Sequence, residues 1–324
     1  MKAFNAVLSL VILVASLPVG SASAQTYPSK PINLIVPAAP GSAVDVRGRW
    51  IAEGLTRVLG QPMVVDNRSG AGGTIGTGAA AKSAPDGYTL VLVHLGTLAL
   101  APYVYPGLKY DPIADLVPIT RLSVNPLMLA ASQSIPVSSV AELLRLAREK
   151  PGQLNYGSAG TGTPPHLAGE LFKSMAGIDV AHVPYKGGGP ALTDLVAGRL
   201  TYTFDSLAVQ LPQVSAGRIK ALAVTGARRL ASLPDVPTLA ESGVPGYDYL
   251  SWMGISAPAK TPKEIVARLS QEISKFLATS EARAWLAGQG AEPGGESPAE
   301  FAAYIRAEHA KWGPIVRKLG IKPD

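Results

Sequence analysis

Short β-branched runs alternate with helical periodicity along most of this 324-residue chain, and that alternation leaves few folds open to it. Residues 32–36, 63–65, 89–93, 127–130, 155–156, 181–183, 201–204 and 221–224 read as strands. Between several of them apolar residues recur at helical spacing: Ile51, Leu55, Val58 and Leu59 form one stripe, and Leu167, Leu171 and Met175 another. Strands separated by helices make βα units, which place successive strands parallel in a sheet covered by helices. An α/β protein of mainly parallel sheets is therefore expected. Beyond Val224 the character changes, with one strong strand at 252–257 and helices expected over 262–279, 280–288 and 297–319. Such a tail is suited to packing back onto an earlier part of the fold.

Two segments each put a glycine-containing loop between a strand and a helix start. The first runs Pro37, Ala38, Ala39, Pro40, Gly41, Ser42, Ala43, Val44, Asp45, where Ser42 and Asp45 have the spacing of a capping box. The second runs Gly157, Ser158, Ala159, Gly160, Thr161, Gly162, Thr163, Pro164, Pro165, His166, with Thr163 suited to the N-cap and Pro164 to the first helical position. Small side chains leave backbone N–H groups uncovered at the positive end of a helix dipole. That combination holds an anion without a charged side chain. One such loop is as readily a tight βα turn, but two of them favour a ligand gripped between lobes. A third glycine-rich run, NRSGAGGTIGTG at 67–78, lacks the spacing of a dinucleotide fingerprint, and Lys82-Ser83 lacks the glycine a P-loop needs. It reads as a close-packed turn and helix start beside the cleft.

The chemistry of catalysis is sparse. There is no cysteine, which removes disulfides, thiolate metal sites and cysteine nucleophiles. The four histidines, His94, His166, His182 and His309, have no metalloprotease spacing, and no nucleophile elbow surrounds Ser69, Ser158 or Ser206. His182 is expected to be structural, His309 to lie on a solvated helix face, and His94, Thr97 and His166 to stand near the cleft. No metal and no cofactor is expected. The net charge is +6, yet Arg47, Arg49, Arg57, Arg68, Arg228 and Arg229 are scattered and only 6% of residues are aromatic. That distribution excludes a nucleic-acid footprint and suits small anionic ligands.

Lys2 precedes an apolar run at 6–17, a Pro18-Val19-Gly20 break and the small residues Ala22-Ser23-Ala24. The run is shorter than the roughly 20 residues of a spanning helix. Residues 1–24 therefore read as a cleaved signal peptide, which implies an exported protein.

Several motifs in order carry a family resemblance. They are Asp66-Asn67-Arg68 with Gly70-Ala71-Gly72-Gly73, APDGYT at 84–89, GSAGTGTPPHLAGELF at 157–172, HVPYKGGGPALTDLVAG at 182–198 and LPDVPTLAESGVPG at 233–246. From about Tyr27 to Gly320 the chain resembles the Bug-type solute-binding receptors of tripartite tricarboxylate transporters. The resemblance implies a two-lobed periplasmic binding protein of type II, a Venus flytrap, with 25–121 and 253–324 as one lobe and 122–252 as the other. Crossovers are expected near 118–122 and 251–257. It implies a small carboxylate ligand held by loop backbone groups and bridging waters, membrane transporter subunits as partners, a monomeric state and no enzymatic activity. Water-bridged recognition suits a receptor for related acids, because bridging hydrogen bonds adapt at small cost.

Carried over by motif, the contacts in the first lobe are Ala38, Ala39, Gly41, Ser42 and Asp45, and those in the second are Ser158, Ala159, Gly160, Thr161, Gly162 and Thr163. Asp205 and Ser206 match a position facing the cleft, where Asp205 either receives a ligand amine or hydroxyl or orders its loop. Family members often carry an aromatic residue where Ala38 stands and a glycine where Ser42 stands, so a more extended ligand than a small amino acid is expected. A sensor subunit for a two-component system, or a secreted hydrolase on the same scaffold, are the rival readings.

Overall fold

The computed structural model describes residues 27–230 and 232–320. The expected signal peptide lies outside them. The parallel strands β1 (Ile32–Val36), β2 (Met63–Asn67) and β3 (Thr89–His94) form one set, with β1 between the other two and the apolar runs of β1 and β3 mostly buried. A second parallel set is β5 (Asn155–Ser158), β6 (Ala181–Pro184) and β7 (Tyr202–Ser206), with β5 central.

Two long strands join the sets. β4 (Leu116–Ser132) and β9 (Leu250–Pro258) run antiparallel, paired from Leu116 opposite Pro258 to Pro126 opposite Leu250. β9 also pairs with β3, while the far end of β4 pairs with β7 and with β8 (Ile219–Val224). The short β10 (Glu292–Pro293) closes onto β4. The order is β2-β1-β3-β9-β4-β7-β5-β6, a mixed and curled sheet. The expectation of mainly parallel sheets holds within each strand set and fails at the junction, where every pairing made by β4 is antiparallel.

Helices cover the sheet: α1 (Ala43–Leu59), α2 (Thr74–Ala81), α3 (Ala101–Val104), α4 (Val140–Glu149), α5 (Pro164–Ala176), α6 (Gly188–Val196), α7 (Leu207–Ser215), α8 (Lys263–Leu277), α9 (Ser280–Gly288) and α10 (Pro298–Leu319). Their ends follow local chemistry. Ser42, Ser139, Thr279 and Ser297 accept capping bonds, and Ser297 with Glu300 forms a full capping box. On α1 the buried stripe is Ile51, Leu55 and Leu59, whereas Val58 is 41% exposed. On α5 it is Leu167, Ala168 and Phe172, with Met175 at the surface. Both departures arise because a one-residue rotation of the apolar face is invisible to spacing alone. The C-terminal helix packs against the joining strands: Glu308 of α10 accepts from both Trp252 of β9 (3.1 Å) and Trp312 (3.0 Å), inside the core.

Candidate functional site

The two glycine loops face one cavity of about 700 Å³. Its wall includes Ala38, Ala39, Ser42, Ala43 and Val44 from the first loop, and Ala159, Gly160, Thr161 and Thr163 from the second. Asp205, Ser206 and His94 also line it.

The first loop is rigid by hydrogen bonding. Ser42 caps α1 by accepting from the Asp45 amide at 3.3 Å, but the return bond of the expected capping box is not made, because the Asp45 carboxylate accepts from the Gly41 amide and the Ser42 amide donates to the Ala39 carbonyl. The amides of a helix's first turn have no intrahelical partner. Here Ala43 and Val44, in that turn, lie on the cavity wall. Asp45 itself stands behind the wall. Its carboxylate accepts from the Gly41 amide (2.8 Å), Asn67 Nδ2 (2.8 Å) and Arg49 Nε (3.0 Å), and Asn67 also donates to the Ala38 carbonyl (3.1 Å). Burial opposes ionisation of Asp45, but the bonds from Arg49, Gly41 and Asn67 outweigh it and hold the carboxyl below its usual range. In this structure Asp45 is a brace and Gly41 the residue it braces.

The second loop is braced from below. Ser158 Oγ bonds His182 Nε2 at 2.7 Å and accepts from the Gly160 amide at 3.1 Å. His166 Nδ1 accepts from the Gly162 amide at 3.1 Å, and the His166 and His182 rings stack at 4.0 Å. Ser158, Gly162 and His166 therefore lie beneath the lining and shape it. Thr163 occupies the N-cap position of α5 with Pro164 following, but its hydroxyl donates back to the Gly160 carbonyl (2.6 Å) instead of capping the helix. Pro165 at the second helical position removes one of the amides an N-cap side chain would accept from, which leaves the Thr163 hydroxyl to close the loop.

His94 is buried on the wall, and its Nδ1 accepts from the Gly96 amide at 3.0 Å. Burial lowers its pKa to about 4, so the ring is neutral with its proton on Nε2. Thr97 is fully buried behind His94, exchanging bonds with that residue's backbone. The glycine run near residue 70 also reaches the cleft: Ser69, Gly70, Ala71, Gly72 and Gly73 all line it. Gly72 has φ +62°, and a Cβ there would lie 2.8 Å from the Tyr105 hydroxyl. On the opposite wall, burial raises the Asp205 carboxyl to about 6 despite a 2.7 Å bond from the Ser206 amide. Gly188 makes room for it, since a Cβ at Gly188 would collide with that carboxylate. His309 departs from its expected solvated face, because its Nδ1 bonds the Tyr103 hydroxyl at 2.8 Å in a half-buried contact.

Sequence reading passed over Tyr105, Asn125, Trp285 and Arg47, all on the cavity wall. A signal for Arg47 was present: it precedes Ile51 by four residues and so falls on the buried stripe of α1. Its Nη2 donates to Asn125 Oδ1 at 3.1 Å. Among the described residues no cluster of three or more His, Cys, Asp or Glu is placed to hold a metal, and no helix is long and apolar enough to cross a membrane.

A family model described as the tripartite tricarboxylate transporter family receptor matches residues 48–321. Protein BugT of Bordetella pertussis is 36% identical over 318 residues, covering 98% of this chain and 97% of BugT. The solved structure of R. palustris Rpa4515 with adipate is 41% identical, with a TM-score of 0.89 over 92% of this chain and 100% of that one. MatC from Rhodopseudomonas palustris with bound malate is 33% identical, with a TM-score of 0.84 over 90% of this chain and 100% of that one.

Proposed function

The chain belongs to the tripartite tricarboxylate transporter receptor family, and from that premise we propose that its cleft takes up a small carboxylate-containing solute in the periplasm and presents it to membrane transporter subunits. The family is one of solute receptors, so no chemistry on the ligand is required. One observation carries the reading. A single cavity is bounded by the first turn of α1 on one side and by the loop before α5 on the other. The first turn of α1 supplies backbone donors at a helix N-terminus, the arrangement that favours an anion, and α5, which opens on Pro164 and Pro165, turns the positive end of its dipole to the same cavity.

The lobes correspond to 25–121 with 253–324 and to 122–252, and β4 with β9 are the strands about which they close. A ligand that bridges both loops binds the closed form better than the open one and shifts the population by that difference alone. Ala38, Ala39, Ser42, Ala159, Gly160, Thr161 and Thr163 form the contacting surface, with His94 offering its Nε2–H. Gly41, Asp45, Ser158, Gly162, Thr97 and His166 set the shape of that surface. The Ala38 side chain leaves the first loop without an aromatic wall, which, with the volume of about 700 Å³, supports an extended solute. Adipate and malate, the ligands of the two Rhodopseudomonas structures, belong to the proposed class.

The test is native mass spectrometry of the mature protein from cells, followed by a thermal-shift screen of carboxylic acids. Binding to the folded form alone adds about 2.7 kcal/mol at one hundred times the dissociation constant, a readily visible shift. A co-purified acid, or a shift confined to acids, supports the receptor, and the native mass reports whether it acts as a monomer. No shift with any acid overturns it. In a second arm, Ala38→Phe should penalise longer acids more than short ones, and an unchanged size ranking would remove the argument from pocket width.

A further inference from the structure

Arg47 is only 6% exposed, yet among the described residues no acid balances it. The nearby Asp45 pairs with Arg49 instead. Burial is the sole influence on the Arg47 guanidinium and lowers it to about 10, which leaves it cationic at neutral pH. Its Nη1 has no hydrogen-bond partner, and neither does Nδ2 of Asn125, the residue that receives its Nη2. Both residues lie on the wall of the cleft. A buried cation without a counter-charge is costly, as is each buried donor without an acceptor.

The guanidinium is also held in place. Its carbon lies 4.8 Å from the centre of the Trp285 ring, which is stacked on Trp50 at 4.3 Å and 4°. Trp285 too faces the cavity. A planar fork of donors fixed against an indole, with an amide donor beside it, matches the two oxygens of a carboxylate.

We propose that Arg47, with Asn125 and the face of Trp285, forms a second anion pole of the cleft, and that the solute is a dicarboxylate whose far carboxylate lies on this pole. The proposal rests on the receptor reading above and narrows it. One carboxylate is held by the loop amides, and the other supplies the missing acceptor for Arg47 Nη1 and Asn125 Nδ2. Asn125 stands on β4 opposite Ser251 of β9, so the second carboxylate also touches the strands that join the two halves of the sheet. A dicarboxylate therefore connects both loops to the junction, while a monocarboxylate leaves the Arg47 donors unsatisfied.

The experiment is calorimetric titration of the mature protein with straight-chain dicarboxylates, their half methyl esters and matched monocarboxylates, repeated on Arg47→Met, Arg47→Lys and Asn125→Leu. Wild type is expected to hold its best dicarboxylate at least about 30-fold tighter than the half ester or monoacid, the scale of charge-assisted bonds. Arg47→Met erases that margin by weakening dicarboxylates far more than monoacids, Arg47→Lys keeps part of it, and Asn125→Leu reduces it. A wild type without the preference, or an Arg47→Met variant that retains it or weakens both classes equally, overturns the proposal. Should Arg47→Met not fold, the wild-type preference together with Asn125→Leu decides. Tight monoacid binding without a dicarboxylate margin leaves the receptor standing and removes this pole, whereas failure to bind any acid removes both.

Discussion

The Tyr105 hydroxyl donates a 2.9 Å hydrogen bond to the Thr161 carbonyl, 56 residues further along the chain. Tyr105 follows α3, beside the first strand set, and Thr161 lies in the loop that ends the second set's β5. The bond therefore crosses the cleft, with Gly72 packed beneath it.

Removing this bond should loosen the closed form without damaging either half. Tyr105→Phe is expected to weaken ligand binding about fivefold, the worth of one net hydrogen bond of about 1 kcal/mol, with a small change in the unfolding midpoint. Titration of both proteins with one acid checks it. Equal affinities would mean that the bond contributes nothing to closure.

Gly188 is the first residue of α6, and its missing side chain is where the Asp205 carboxylate fits. Gly188→Ala should push Asp205 out of place at a cost of about 1–3 kcal/mol, the usual range for overpacking. Affinity is expected to fall more than stability does, because both residues line the cavity. Thermal unfolding and titration, run together, compare the two losses.

Asp205 predicts a pH dependence with a definite sign. Its carboxyl is raised from 3.8 to about 6 by burial, so between those values the folded form holds a proton that the unfolded chain has released. Stability then declines as pH rises from about 4 to 6 and levels off above, by about 3 kcal/mol at 1.36 kcal/mol per unit. Asp205→Asn should remove that slope in denaturant titrations at a series of pH values. Above pH 6 the ionised carboxylate repels an anionic ligand, although Lys186 on the rim and Arg47 offset part of this. Affinity for acids should accordingly fall through that range in wild type and stay flat in the variant.

Asp45 has the opposite sign. Its carboxyl is depressed, so its contribution to stability is present above the ordinary carboxylate range and is lost as pH falls through its folded value. Asp45→Asn breaks the bond from Arg49 and the one from the Gly41 amide. The variant should unfold a few degrees earlier at neutral pH, a loss of about 2 kcal/mol for charge-assisted bonds. The gap to wild type should narrow in acid, below the range where Asp45 is charged. A constant gap across pH would show that its charge is not what braces the loop.

Strand positions, helix caps and the two glycine loops were legible in the residues because each is a local matter. A β-branched run, a serine three residues before an acid, or a glycine before a helix acts within one turn of chain. The motif resemblance carried the receptor family on the same kind of local evidence. Position on the cavity wall was different. Asp45, Gly162 and His166 belong to the predicted loops and yet lie behind the surface, because their hydrogen bonds go to Arg49, Asn67 and one another.

By itself the sequence determined the α/β class, the order of strands and helices, and the two glycine-containing loops before α1 and α5, since periodicity and capping are encoded over a few neighbouring residues. The tertiary structure alone decided that residues 127–130 belong to a 17-residue strand, that its other end pairs antiparallel with β9 from Leu116 to Pro126, and that Tyr105 reaches Thr161. It also decided that Arg47, on an otherwise apolar helix stripe, meets Asn125 and Trp285 across 78 and more residues of chain instead of an acid. These are pairings between distant segments. Their energies depend on which groups burial brings together, and no short window of sequence contains both partners.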